Sequence, residues 1–171
     1  RNAVNKLPPE IFPLSGEKII RKLISRRDHL DKEAIKYYKF ISRKVNVIGS
    51  NQKEYFKVST HNDSLRVRVY ERGRGNDTSF VMYTRTFDPA VTKEIRLFGL
   101  NDQDVFDIDE NVSSRIKLRI IGGKDNDTFN IRGNIKNIIY DKLSDVNYIK
   151  NKSHTKNKFS ADPPATGRSI L

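Results

Sequence analysis

Three segments of this chain carry one pattern at matching positions, and that recurrence limits the available folds more than any other feature. Ile120, Ile121, Gly122, Asp127, Phe129 and Ile131 overlie Leu97, Phe98, Gly99, Asp104, Phe106 and Ile108 at an offset of 23 residues. A further shift of 50 places Val47, Ile48, Gly49, Glu54, Phe56 and Val58 in the same slots. Each copy has two apolar residues, a glycine, four tolerant positions, an acid, a spacer, a phenylalanine, a spacer and an aliphatic residue. Copies of one local structure bury their apolar residues against one another, so the pattern predicts stacking.

From Val45 onward the apolar period is two rather than 3.6. Residues 45–48, 55–58, 65–70, 79–87, 94–98, 105–108, 116–121, 128–131 and 137–140 read as short strands rich in Val, Ile, Tyr, Phe and Thr. Leu65, Val67 and Val69 alternate with Arg66 and Arg68, as in a half-buried strand. Gly73-Arg74-Gly75-Asn76-Asp77 predicts a turn that closes a hairpin with the strand ending at Phe87. Such a hairpin, inserted in the first copy alone, accounts for the difference between the two offsets.

The region before Val45 reads differently. Pro8, Pro9 and Pro13 predict an extended lead-in over residues 1–14. Ser15 then suits the N-cap of a helix carrying Ile19, Ile20, Leu23 and Ile24 on one side, closed by Arg26-Arg27-Asp28-His29. Asp31 suits the N-cap of a second helix with Ala34, Ile35, Tyr37, Tyr38 and Ile41 as its apolar stripe, so a helical hairpin is predicted. The expected organisation is lead-in and hairpin over 1–44, a β-rich repeat domain over 45–149, and a basic linker or tail over 150–171. The fold class is mainly β within α+β, as a sandwich or a solenoid-like stack.

Net charge is +12, but its distribution argues against nucleic acid. Residues 1–44 carry 12 basic and 5 acidic side chains and residues 150–171 carry 5 and 1, whereas residues 45–149 carry 16 and 15. The β region is therefore nearly neutral, and no aromatic platform is interleaved with the basic residues as single-strand binding requires. Positive ends suit an anionic lipid surface or another protein domain. The chain has no cysteine, which excludes disulfides, thiolate metal sites and thiol nucleophiles. A start at Arg1 rather than Met raises the expectation of a piece of a longer protein.

Gly122-Gly123-Lys124-Asp125-Asn126-Asp127-Thr128-Phe129 resembles the calcium-binding nonapeptide of β-roll proteins, departing from it at Asp125, where that motif has glycine. Calcium takes six to eight oxygens, so stacked copies would offer it Asp102 and Asp104 from one turn and Asp125 and Asp127 from the next. The competing reading is structural: Gly49, Gly99 and Gly122 permit tight turns, the acids cap them, and Phe56, Phe106 and Phe129 stack inside. No catalytic constellation is visible. His29, His61 and His154 lack metal-ligand spacing, and Asp104, Asp107, Asp109 and Glu110 read as a solvated acidic turn rather than a hydrolytic carboxylate pair.

A set of ordered motifs also resembles a known protein family. These are Leu7-Pro8-Pro9-Glu10, Gly16-Glu17-Lys18-Ile19-Ile20, Arg26-Arg27-Asp28, Tyr37-Tyr38, Val47-Ile48-Gly49-Ser50-Asn51, Arg85-Thr86-Phe87, Thr92 to Leu100, and Ile120-Ile121-Gly122-Gly123. From about Leu7 to Ile149 the chain resembles the middle region of large Gram-negative envelope proteins. Those proteins have a calcineurin-like metallophosphoesterase domain in front and an outer-membrane surface-antigen-type β-barrel behind. The resemblance implies a non-catalytic connector on the periplasmic side of the outer membrane, with the other domains of the same chain as partners and the family's metal ligands lying upstream. A calcium-stabilised adhesin-like or carbohydrate-binding module is the expectation of a different class.

Overall fold

The structure is a computed structural model that describes residues 2–73, 78, 80–151 and 154–161. It divides into two compact units, Arg1–Ile41 and Ser42–Leu171.

The first unit differs from expectation in two ways. Its lead-in is not extended but turns twice, through a 3-10 turn at Val4–Lys6 and a π-helical turn at Phe12–Gly16. Pro13 falls in the first turn of the latter, where a missing N–H costs nothing, and the amides of Ile11 and Phe12 both reach the Pro8 carbonyl. Ser15 lies inside this turn and donates to the Ile11 carbonyl, so it does not cap the helix. Beyond the turn the chain forms one continuous helix, α1 (Glu17–Ile41), not a hairpin. Residues 26–31 contain neither glycine nor proline, and their polar side chains find local partners: Arg27 pairs with Asp28 at 2.8 Å, and a His29 ring nitrogen lies 2.7 Å from the Ser25 carbonyl. With no breaker, propagation through Asp31 is cheaper than ending and nucleating a second helix.

The second unit is two sheets. Its strands are β1 (Lys44–Ile48), β2 (Glu54–His61), β3 (Ser64–Glu71), β4 (Val81–Phe87), β5 (Glu94–Leu100), β6 (Val105–Ile108), β7 (Ser113–Gly123), β8 (Thr128–Ile131), β9 (Asn134–Lys142), β10 (Tyr148–Asn151) and β11 (Thr155–Ser160). One sheet runs β1-β5-β7-β9-β11 and is parallel throughout. The other runs β10-β8-β6-β2-β3-β4; its first four strands are parallel, and β3 and β4 add as an antiparallel hairpin. Apart from that hairpin, the chain crosses from one sheet to the other at every step. The hairpin is the insertion that separates the first two motif copies, and the turn expected at residues 73–77 lies, after Gly73, outside the described residues.

All nine predicted strands are present, several of them longer than predicted. Two more are not predicted: β10 begins in the expected β domain and runs into the expected linker, β11 lies within that linker, and they pair in parallel with β8 and β9. The alternation is weak there, and these strands form because each continues a sheet whose edge is already built. The rest of the predicted tail, residues 162–171, lies outside the described residues.

The core lies between the sheets. Its rows follow the register: Val47, Leu97, Ile120 and Ile139 in one sheet, and Phe56, Phe106 and Phe129 in the other. The three phenylalanines are fully buried. Phe56 and Phe106 stack with centroids 4.7 Å apart, and Phe106 and Phe129 at 5.3 Å with planes 4° apart. Those spacings are close to the ~4.8 Å between neighbouring strands, which is why residues at one register position form a ladder.

Candidate functional site

The carboxylates of the motif lie at the turns that lead from one sheet to the other. Glu54 is the first residue of β2, and Asp104 and Asp127 directly precede β6 and β8. All three are almost fully buried. Asp104 and Asp127 each bind the copy before: the Glu54 amide donates to Asp104 Oδ1 at 2.8 Å, and the Asp104 amide donates to Asp127 Oδ1 at 2.8 Å. The Asp127 amide donates to Asn147 Oδ1 at 2.7 Å, which continues the line one step further. In the first copy Ser50 supplies the missing neighbour, donating through both its amide and its hydroxyl to Glu54 Oε1.

The second oxygen of each acid explains the glycine. A Cβ built on Gly99 would lie 2.1 Å from Asp104 Oδ2, one on Gly122 would lie 2.2 Å from Asp127 Oδ2, and one on Gly49 would lie 2.6 Å from Glu54 Oε2. The acid five residues on therefore occupies the volume of the absent side chain. These second oxygens are buried and meet no donor. Burial above all, followed by repulsion from Asp127 and Glu54, outweighs the Glu54 amide and pushes the Asp104 carboxyl up to about 9. Burial, followed by repulsion from Asp141, Asp145 and Asp125, pushes Asp127 up to about 8 despite the Asp104 amide.

A fourth relative of the motif is present that the sequence pattern did not reveal. Ile139 and Tyr140 pair with Ile120 and Ile121, and Tyr148 and Ile149 pair with Thr128 and Phe129. Asp141 stands where the glycine stood, Asn147 where the acid stood and Ile149 where the phenylalanine stood, with one extra residue in the turn. Asp141 is fully buried, its Oδ2 lies 2.4 Å from the Cβ position of Gly122, and burial pushes its carboxyl up to about 6. The only signal in the sequence was the apolar run Ile138-Ile139-Tyr140 with a turn after it.

The four residues proposed for calcium do not converge. Asp104 and Asp127 point inward, toward Gly99 and Gly122. Asp102 and Asp125 are at the exposed turn with positive φ, and the Asp102 amide donates to Asp125 Oδ2 at 3.1 Å. Among the described residues no three His, Cys, Asp or Glu side chains form a group arranged to hold a metal ion. The predicted set therefore does not fit one calcium ion as it stands.

The predicted acidic turn also separates. Asp104 faces inward, whereas Asp107 and Asp109 share Arg132, whose Nη2 lies 2.8 Å from Asp107 Oδ1 and 3.2 Å from Asp109 Oδ1. The Tyr55 hydroxyl donates to Asp107 at 2.7 Å, and Lys57 pairs with Asp109 at 3.4 Å. Burial, followed by the bond to Asp107, holds the Tyr55 phenol above its ordinary range. A shallow groove beside this network is lined by Tyr55, Lys57, Tyr70, Arg72, Thr78 and Val105. In the other sheet Glu94 is ion-paired with Arg96 at 2.8 Å and Arg119 at 2.9 Å; burial raises its carboxyl, and the two guanidiniums together bring it below the ordinary value.

Of the predicted structural residues, Gly49, Gly99, Gly122, Phe56, Phe106 and Phe129 come together as one stacked set, and Ser50, Asp141 and Asn147 complete it. No family model, curated protein or solved structure matches the chain.

Proposed function

We propose that residues 42–161 are a non-catalytic scaffold, a two-sheet solenoid-like stack acting as a connector within a larger envelope protein. The observation that carries this reading is the use of the turn carboxylates. In the second and third copies one oxygen is spent on a backbone amide of the preceding copy and the other fills a glycine's vacant volume, so neither is offered to a substrate. Asp107 and Asp109 are likewise spent on Arg132, Tyr55 and Lys57. A chain that commits its acids to internal cohesion suits a rigid spacer. The motif resemblance supports a place between a metallophosphoesterase domain and an outer-membrane barrel, on the periplasmic side, with those domains as partners.

Two measurements test the reading. In native-state hydrogen exchange the amides of Glu54, Asp104 and Asp127 are expected among the slowest, since opening them requires separating adjacent copies. Exchange as fast as that of exposed turns would overturn the scaffold. The isolated chain, assayed with bis-p-nitrophenyl phosphate and manganese, is expected to be inactive; turnover would overturn the non-catalytic assignment.

A second reading, a calcium-stabilised module, is favoured by one observation. Asp127 and Asp141 each have a buried oxygen with no donor beside one turn, and such charge needs neutralising by either a proton or a cation. Melting temperature measured with millimolar calcium and then with a chelator separates the two: a rise that Asp127→Asn abolishes supports calcium, and no change removes it.

A further inference from the structure

We propose that α1 is an interfacial helix that lies flat on an anionic lipid surface. The proposal rests on the membrane-associated connector reading and extends it by naming what the first unit binds. At 25 residues and ~1.5 Å per residue, α1 is long, yet no helix among the described residues is apolar enough to cross a membrane. Any contact of α1 with lipid is therefore along a surface.

Its two faces differ in kind. At 100° per residue, Ile19, Ile20, Leu23, Leu30, Ala34, Tyr37, Tyr38 and Ile41 fall within one broad arc. Only Ile20 is covered, beside Phe12 and Asn5 of its own unit; Leu30 and Tyr37 are more than 60% exposed, and Leu23, Tyr38 and Ile41 about half. The opposite arc carries Lys18, Arg21, Lys22, Lys32, Lys36 and Lys39, all exposed, with Phe40 at its edge and Ile35 between the two arcs. Of the 25 residues eight are Lys or Arg and four are Asp or Glu.

Charge decides among occupants. A second copy of α1 would bring two cationic helices together and place Arg27, which lies in the apolar arc, against itself. An anionic headgroup layer instead neutralises the flanking cations while the apolar arc enters the acyl boundary, where Tyr37 and Tyr38 keep their hydroxyls at the headgroup level. Attraction of this kind reaches only about 8 Å at physiological ionic strength, so it must be sensitive to salt.

The test is co-sedimentation of the whole chain with vesicles of phosphatidylglycerol and phosphatidylcholine in equal parts, against vesicles of phosphatidylcholine alone. Binding to the former only, and its loss in high salt, is expected. Lys32→Glu with Lys36→Glu should weaken it more than about tenfold. Leu23→Glu with Leu30→Glu should abolish it, and circular dichroism checks that helix content persists in both pairs. Equal binding to neutral vesicles, no binding, or binding that both double variants retain would each overturn the proposal, as would capture by a protein partner without vesicle binding. None of those outcomes touches slow exchange at Glu54, Asp104 and Asp127, so failure here is distinguishable from failure of the scaffold.

Discussion

The Asp104 carboxylate sits in the space a side chain on Gly99 would fill, 2.1 Å from the Cβ position. The Gly122 carbonyl lies 2.5 Å from the same point, so moving Asp104 alone does not make room. Gly99→Ala is therefore expected to destabilise by about 3 kcal/mol, as overpacking of a rigid site does. Gly49→Ala should cost less, because its nearest neighbour is the far end of the Glu54 side chain. Thermal melts of the two variants rank them, and equal melting temperatures would contradict this account.

Phe106 is the middle ring of three, stacked on both faces. Phe106→Ala should cost about 3 to 5 kcal/mol. Phe56→Ala and Phe129→Ala each remove one stacking contact rather than two and should cost less, by roughly 0.5–1.5 kcal/mol. Chemical denaturation gives the comparison; unchanged stability in Phe106→Ala would exclude a buried ladder.

The raised carboxyls fix a pH dependence. Asp141, Asp127 and Asp104 are held at about 6, 8 and 9, above the ordinary carboxylate value. A folded state that holds protons more tightly than the unfolded chain is favoured at low pH. Their contribution is complete below about pH 4 and is lost as pH rises through those folded values. Stability should thus decline from mildly acidic to alkaline solution. Asp127→Asn keeps an acceptor for the Asp104 amide and removes one titration, so it should flatten the decline and gain on the order of 2 kcal/mol at alkaline pH. A melting temperature that rises with pH over this interval would refute the assignment.

Leu100 has φ 88° and pairs with Gly123, whose φ is 122°. A leucine held in the left-handed region costs about 1 kcal/mol or more. Leu100→Gly should recover roughly that amount, less the added freedom of the unfolded chain. Differential scanning calorimetry would detect the increase; a clear loss would mean that the leucine side chain packs more than its backbone strains.

The strands were legible because burial of one face imposes a period of two, and Val, Ile and Phe keep that period from Val45 to Tyr140. The sequence suggests a hairpin in place of the continuous α1 because Asp31 and the Arg26-Arg27 pair imitate helix ends, while only a glycine or proline would enforce one. The direction of the calcium candidates is hidden from the sequence for a related reason. Spacing in the sequence placed Asp102, Asp104, Asp125 and Asp127 in adjacent turns, but the direction of each side chain depends on which backbone amides lie across the gap.

The chain alone determined the spacing: an apolar pair, a glycine, an acid five residues later and an aromatic two beyond it, recurring at offsets of 50 and 23. Those separations are local, and covalent geometry sets them. Only the tertiary structure decided which partners meet. The line from Glu54 through Asp104 and Asp127 to Asn147 joins residues 20 to 50 positions apart, and Asp141 and Ile149 enter the stack without resembling the residues they pair beside. A strand added to a built edge is held by backbone amides and neighbouring surface, so it can keep its register after its side chains have left the pattern.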